Sequence, residues 1–303
     1  MKSIKKIAMA ALVCAVVIGL TSCNKDGVYK PKEKIAKIYV QNEGQDKVLT
    51  ETWDWDGKLL MSIKHADTDL IGDNSYTETF TYDKKQVKTI SDGTYTMTYN
   101  YDGRFFDNIK ITEGSDEVGT MKFTHDGKLV SKIDITLDDE FMKSQMAESA
   151  MRFIAPEFAC DFGKIMQAEA LRGCKGKTEM VVTFEYDGAN VEKATMRNNT
   201  ANVEQVFTYT YSDYMNPFYK LFNNGDENNG YNQSKNAPAT IHQTNSAWNN
   251  TTWDYTYTYP SVDHKYPTQM TEQKVTTQVI GNMTNTINNM TSYFYEYNDY
   301  HPT

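Results

Sequence analysis

One short pattern returns along this chain, and it dictates most of what the chain can fold into. Its copies are Trp53-Asp54-Trp55-Asp56-Gly57-Lys58-Leu59-Leu60 and Phe80-Thr81-Tyr82-Asp83-Lys84-Lys85-Gln86-Val87. Next come Tyr99-Asn100-Tyr101-Asp102-Gly103-Arg104-Phe105-Phe106 and Phe123-Thr124-His125-Asp126-Gly127-Lys128-Leu129-Val130. The last full copy is Phe184-Glu185-Tyr186-Asp187-Gly188-Ala189-Asn190-Val191, with echoes at Tyr209-Thr210-Tyr211, Tyr257-Thr258-Tyr259 and Tyr295-Glu296-Tyr297. Alternating aromatic and polar residues put the rings on one face of a strand. Asp-Gly supplies the positive dihedrals of a tight turn, and the aliphatic run returns antiparallel. The expectation is a mainly β fold: one large antiparallel hairpin-repeat sheet curled toward a barrel. In the Asp83 copy, which lacks Gly, the turn must use another geometry.

The period breaks once. From Asp138 to Arg172 the spacing turns helical, with Met142, Met146, Ala150 and Phe153 three or four apart. Asp138 and Asp139 are placed to cap a first helix, Pro156 to end it, and Gly173 to stop a second running from about Ala159 to Arg172. This predicts a helical hairpin, residues 138–173, inserted between two strands and covering one side or one mouth of the sheet. Between Asn223 and Asn250 the abundance of Asn and Gly predicts a long surface excursion.

The first 22 residues read as a secretory signal rather than fold. Lys2, Lys5 and Lys6 precede an apolar run, Ile7 to Leu20, too short to span a bilayer comfortably. Leu20-Thr21-Ser22-Cys23 then resembles the bacterial lipobox, which implies cleavage before Cys23 and acylation of that residue. Several acyl chains, each worth roughly 0.8 kcal/mol per buried methylene, make a stable membrane anchor without a transmembrane helix. Residues 23–34 form the lipidated, lysine-rich tether, and residues 35–303 one β-rich domain. Asn24 follows the cysteine, where some bacteria place an inner-membrane retention Asp, so the expected site is the outer membrane, on either face.

The chain is acidic, with a formal net charge of -9. Such a surface repels phosphate backbones and argues against nucleic acid as a partner. It carries 21 Tyr and 13 Phe but only 7 Pro, a composition suited to pleated sheet. Cys160 and Cys174 lie close together in an exported chain, as a disulfide or as a pair of buried thiols on the helical hairpin.

Signals for catalysis are missing from the sequence. His65, His125, His242, His264 and His301 are far apart and none has paired metal-ligand spacing. There is no nucleophile-elbow serine, P-loop or dinucleotide-binding glycine pattern. Asp54, Asp56 and Gly57 open like a calcium loop whose later ligands never follow, so they read as turn residues. His125 occupies an aromatic position of its repeat and reads as packing. The expectation is therefore no catalytic residue, no metal and no cofactor. Met142, Met146, Met151 and Met166 read either as an adaptable ligand lining or as helix-on-sheet packing. The aromatic ladder reads as the buried face of the sheet. Trp248, Trp253 and Tyr255, which border the polar excursion, are the candidates for stacking on a ligand.

The lipobox, the Tyr-Asp-Gly hairpins and the C-terminal third together resemble a Bacteroidota outer-envelope lipoprotein family of unknown function with a porin-like fold. In that third, Asn216-Pro217-Phe218, Ser234-Lys235-Asn236-Ala237-Pro238, the Tyr-Thr-Tyr strand and Tyr266-Pro267-Thr268 follow in the family's order. The resemblance implies a curled, barrel-like antiparallel sheet in the outer envelope and no assigned reaction. Short recognisable strands, dense Lys and Glu, and a His301-Pro302-Thr303 terminus argue against a barrel that itself spans the membrane. The leading expectation is a non-enzymatic, lipid-anchored module that binds glycan, peptide or a small hydrophobic ligand. A structural role, docking a partner protein through the sheet face or edge, comes second, and a glycan-active enzyme third.

Overall fold

A computed structural model describes residues 34–66, 75–84, 86–154, 176–218, 234–248, 250–260 and 266–298. Cys23, Cys160, Cys174, Met166, the tether up to residue 33 and the second expected helix lie outside the described residues.

The hairpins join into a closed barrel in which every strand pairs antiparallel with its sequence neighbours. Its strands are β1 Ile35–Asn42, β2 Val48–Asp56, β3 Leu59–His65, β4 Tyr76–Asp83, β5 Gln86–Ser91, β6 Tyr95–Asp102, β7 Phe105–Glu113 and β8 Asp116–Asp126. They continue as β9 Leu129–Asp138, β10 Lys177–Asp187, β11 Asn190–Asn198, β12 Val203–Met215, β13 Asn236–Asn245, β14 Thr251–Thr258, β15 Gln269–Ile280 and β16 Met283–Tyr297. β1 closes on β16 through pairs such as Ile38 with Tyr295 and Val40 with Tyr293. The strands outrun the sequence pattern: β12 has 13 residues and β16 has 15.

Each repeat lies at one end of the barrel, the tight-turn end, and the turn differs from expectation. Asp is the last strand residue, paired with the first residue of the next strand, as Asp56 with Leu59 and Asp102 with Phe105. Glycine is the first of two loop residues, with φ of 55° at Gly57 and 61° at Gly103. In the Asp83 copy Lys84 takes the same left-handed conformation, φ 60°, without the glycine that makes it inexpensive.

Neighbouring hairpins part before they reach this end, and a ring seals each gap. The β3–β4 ladder ends at Ser62, and the Tyr82 hydroxyl donates to the carbonyl of Leu60, two residues beyond it, at 2.6 Å. The β5–β6 ladder ends at Thr89, and Tyr101 donates to Val87 O at 2.6 Å. Tyr186 reaches Val130 O, Tyr211 reaches Val191 O, Tyr259 reaches Pro238 O and Tyr297 reaches Pro267 O in the same way. On β2 the donor is Trp55 Nε1, 2.7 Å from Ile35 O. These are the second aromatics of the repeat, so the aromatic-x-aromatic spacing makes one ring core and the next a clasp. On β8 the position holds His125, whose ring lies 5.2 Å from Phe105 and whose pKa is held below its ordinary value by burial.

The first aromatics point inward. Trp53, Phe80, Tyr99, Phe123, Phe184, Tyr209, Tyr257 and Tyr295 are buried in one apolar core with Leu60, Ile63, Ile90, Phe106, Ile109 and Ile133. Phe218, from the connection after β12, packs against both Trp53 of β2 and Tyr295 of β16, at 6.3 and 5.9 Å between ring centroids. The outward face is polar, with exposed pairs Lys37–Glu296, Lys110–Glu117, Lys193–Glu185 and His242–Asp254.

At the opposite end, the insertion end, two helices interrupt β9 and β10: α1 Asp139–Met142 and α2 Gln145–Ile154. Asp138 holds the N-cap position of α1, but its side chain makes no capping bond. Asp139 instead accepts the Gly176 N–H at 2.7 Å, tying the insertion's two ends together. The side-chain cap is Ser144, whose hydroxyl accepts the Ala147 N–H at 3.2 Å and starts α2. Phe141, Met142, Met146, Ala147, Ala150 and Met151 are buried, and Phe141 meets Tyr95 edge-on at 5.1 Å. The excursion expected from Asn223 to Asn250 is corrected: β13 runs through it, with Ile241, Gln243 and Asn245 buried. Polar residues at inward positions had hidden its alternation.

Candidate functional site

Extending the period of two inward from the aromatic core reaches carboxylates. Glu51 lies two residues before Trp53, Glu78 two before Phe80, and His65 two after Ile63, so all three side chains enter the barrel. Strand register sets Glu51 beside His65 and His65 beside Tyr76. All are nearly water-free: Glu78 is 0% exposed, Glu51 5% and His65 8%.

His65 sits between the two acids. Its Nε2 lies 3.6 Å from Glu78 Oε1 and its Nδ1 3.9 Å from Glu51 Oε1. The imidazole stacks flat on Tyr76, with centroids 4.2 Å apart and 8° between planes. Trp53 Nε1 donates to Glu51 Oε2 at 2.9 Å. Neither oxygen of Glu78 accepts a hydrogen bond among the described residues. Close by, the Tyr99 phenol is pushed up by burial and, secondarily, by the charge of Glu78. A buried carboxylate costs several kcal/mol unless donors or a cation satisfy it. Here the imidazole offers ion-pair distance without hydrogen-bond geometry. The chemistry of the cluster therefore suits a hydrogen-bond donor or a cation.

A second polar group faces inward from the other wall. Gln243 Nε2 donates to Gln205 Oε1 at 2.8 Å, and the Tyr255 hydroxyl donates to Gln243 Oε1 at 3.2 Å. Lys274 Nζ lies 5.0 Å from the Tyr255 ring centroid, a cation–π distance.

The three residues singled out for stacking separate. Tyr255 is buried in the core, and Trp253 is half-buried against it. Trp248 stands on a 3-10 turn, Ser246–Trp248, and is 41% exposed. No cluster of three or more His, Cys, Asp or Glu with metal-binding geometry occurs among the described residues. Glu51, His65 and Glu78 were missed because they come from three strands and share no motif. The signal that could have found them is their phase relative to the aromatic repeats.

No family model matches the sequence, and no curated protein matches it. Among solved structures, the chain is similar to a porin-like protein from Bacteroides uniformis, with 12% identity and a TM-score of 0.53, covering 89% of this chain and all of that one. A porin-like protein from Bacteroides vulgatus also matches, at 12% identity and a TM-score of 0.47, again over 89% of this chain. The first likeness supports the antiparallel barrel fold.

Proposed function

We propose that this chain is an outer-envelope lipoprotein, anchored through Cys23, whose barrel is a non-enzymatic binding module. The observation that carries the reading is Glu78, wholly buried, without a hydrogen bond among the described residues, and aimed into an aromatic-lined interior. Unsatisfied buried polar groups are rare in folded proteins, and each calls for a functional or structural explanation. The ligand chemistry that fits is an apolar or ring-bearing body with a donor group: a glycan, a peptide or a small amphipathic molecule. The outward charges support a barrel standing in water beside its membrane. At the bilayer midplane each lipid-facing lysine would cost about 2–4 kcal/mol.

A thermal-shift screen of the chain from Asn24 onward tests this, using glycans, bile acids, fatty acids and peptides. A ligand that binds only the folded state raises the melting temperature with concentration. The expected result is such a rise with the parent chain and its loss in Glu78→Gln. A cooperative melt that no compound in the panel shifts would refute the module. Replacing Cys23 by Ala should release the protein from the membrane fraction; continued membrane association would refute the anchor. One observation favours the alternative of docking a partner protein through the sheet edge: from Met283 to Asn289, β16 has no strand on its β1 side among the described residues, and this stretch carries no charge.

A further inference from the structure

The β15–β16 hairpin extends past the barrel rim at the insertion end. β15 remains covered, pairing with β14 as far as Gln278, and Val279 N donates to Asn250 O. β16 leaves its other neighbour earlier. Its last β1 pair is Thr291 with Asn42, followed by one bond from Glu43 N to Met290 O. From Met283 to Asn289, β16 therefore has β15 on one side and no strand on the other among the described residues. Every residue from Met283 to Met290 is exposed.

Free edges are ordinarily protected by charge, proline or bulges. This one carries none of them: from Val275 to Tyr295 there is no Asp, Glu, Lys, Arg, His or Pro. Exposed large apolar side chains gather here as well. Ile280 is 55% exposed, Met283 72% and Ile287 53%, all three on one face; Val279 and Met290 are exposed on the other. Contiguous exposed apolar groups mark interaction surfaces.

We propose that this edge docks a second copy of the chain, β16 against β16, antiparallel about a two-fold axis at Thr286. Thr286 is the central residue of the free edge, so this register uses all of it. It sets Met283 opposite Asn289, Thr284 opposite Asn288 and Asn285 opposite Ile287. Ile287 of one copy then becomes the diagonal neighbour of Met283 and Ile287 of the other, within contact range on a common face. Threonine and asparagine side chains can both donate and accept, so they pair with their own kind. Charge selects the same partner. The chain carries a formal -9, so copies repel one another on average. This edge offers a contact with no charge on either side. The pairing is isologous and closes at two copies rather than propagating. It is independent of ligand binding in the interior, and each reading can fail without the other.

Sedimentation equilibrium of the chain from Asn24 onward, which retains all strands, tests the pairing. The parent should dimerise. Thr286→Lys and Thr286→Glu each bring like charges together at the axis and should raise the dimer Kd at least about tenfold. An equimolar mixture of the two should recover the dimer, since Lys then faces Glu. Circular dichroism melts confirm an intact barrel; Thr284→Lys and Thr284→Glu, on the same outward face, serve where a Thr286 variant fails to fold. A parent that stays monomeric to about 0.5 mM overturns the proposal. So does a dimer that both variants leave unchanged, or a mixture that stays monomeric.

Discussion

Removing a single oxygen from the clasp should expose what holds the tight-turn end together. Tyr101→Phe deletes a hydroxyl that donates at 2.6 Å to Val87 O, a carbonyl two residues past the end of its ladder. No backbone donor of the neighbouring strand reaches that far. The phenyl ring can stay where it is, stacked 5.2 Å from Phe106, so packing is conserved and the loss is almost purely one hydrogen bond. A typical bond contributes about 1 kcal/mol net, and stranding its buried acceptor costs about 1–3 kcal/mol. The half-buried site places the expected loss at about 1–2 kcal/mol.

Urea unfolding monitored by circular dichroism measures this directly. The midpoint should fall while the slope stays constant, because the same surface is exposed on unfolding. Tyr82→Phe should behave alike, since Tyr82 makes the same bond to Leu60 O. The two clasps sit two strands apart, about 10 Å. Their losses should therefore add in the double variant to within about 0.5 kcal/mol. Losses below about 0.3 kcal/mol in both single variants would refute the reasoning. They would mean that water, not tyrosine, satisfies the carbonyls past the ladder.

Other outcomes follow from local geometry. Burial raises the pKa of Tyr82, Tyr99, Tyr186 and Tyr259 above the ordinary 10.0. A raised acid pKa gives stability that is complete below pH about 10 and lost as pH rises through the folded value. Phenolate absorbance should thus appear together with unfolding; ionisation of these tyrosines in a still-folded barrel would contradict their burial. Gly119→Ala sets a Cβ 2.5 Å from Leu137 Cδ2 and 3.1 Å from Thr136 O. That overpacking should cost about 1–3 kcal/mol in a chemical melt, and a neutral result would show that β9 gives way. Lys84→Gly relieves a left-handed backbone, φ 60°, and should stabilise by about 1 kcal/mol; a loss of stability would place the strain elsewhere.

What could be read from the sequence follows the strength of local signals. The hairpins were legible because Asp-Gly and alternating rings reinforce one another within eight residues, and the strand–turn–strand unit is local. Closure was not legible, because the β1–β16 contact joins Ile38 to Tyr295 across nearly the whole chain. β13 was hidden because its inward positions include Gln243 and Asn245, whose polarity suits the interior network but reads as loop. The same cause hid the candidate site. Glu51 and Glu78 occupy core positions by phase, while their chemistry assigns them to the surface. Placing the capping at Asp138 and Asp139 followed residue preference, but the bond that Asp139 makes is tertiary, to Gly176.

Polarity and connectivity together give the barrel a direction. A barrel in lipid carries its apolar residues outward and its charges within; here Lys193 and Glu185 pair on the outside, while Phe106 and Ile109 are buried within. Closure pairs every strand, which ordinarily removes the sheet edges that invite association. Where β16 outruns β1, a long edge returns among the described residues, and it returns without charge. Both described chain ends lie at the tight-turn end, where Asn298 N donates to Lys34 O. The polar interior residues near Glu51, the helices that start after Asp138 and the free edge of β16 all belong to the other half. The two ends of the barrel thus differ: tight turns clasped by tyrosines at one, and the helices with the unpaired stretch of β16 at the other. A sequence made only of hairpins acquires that asymmetry through its longest strand pair and its single helical insertion.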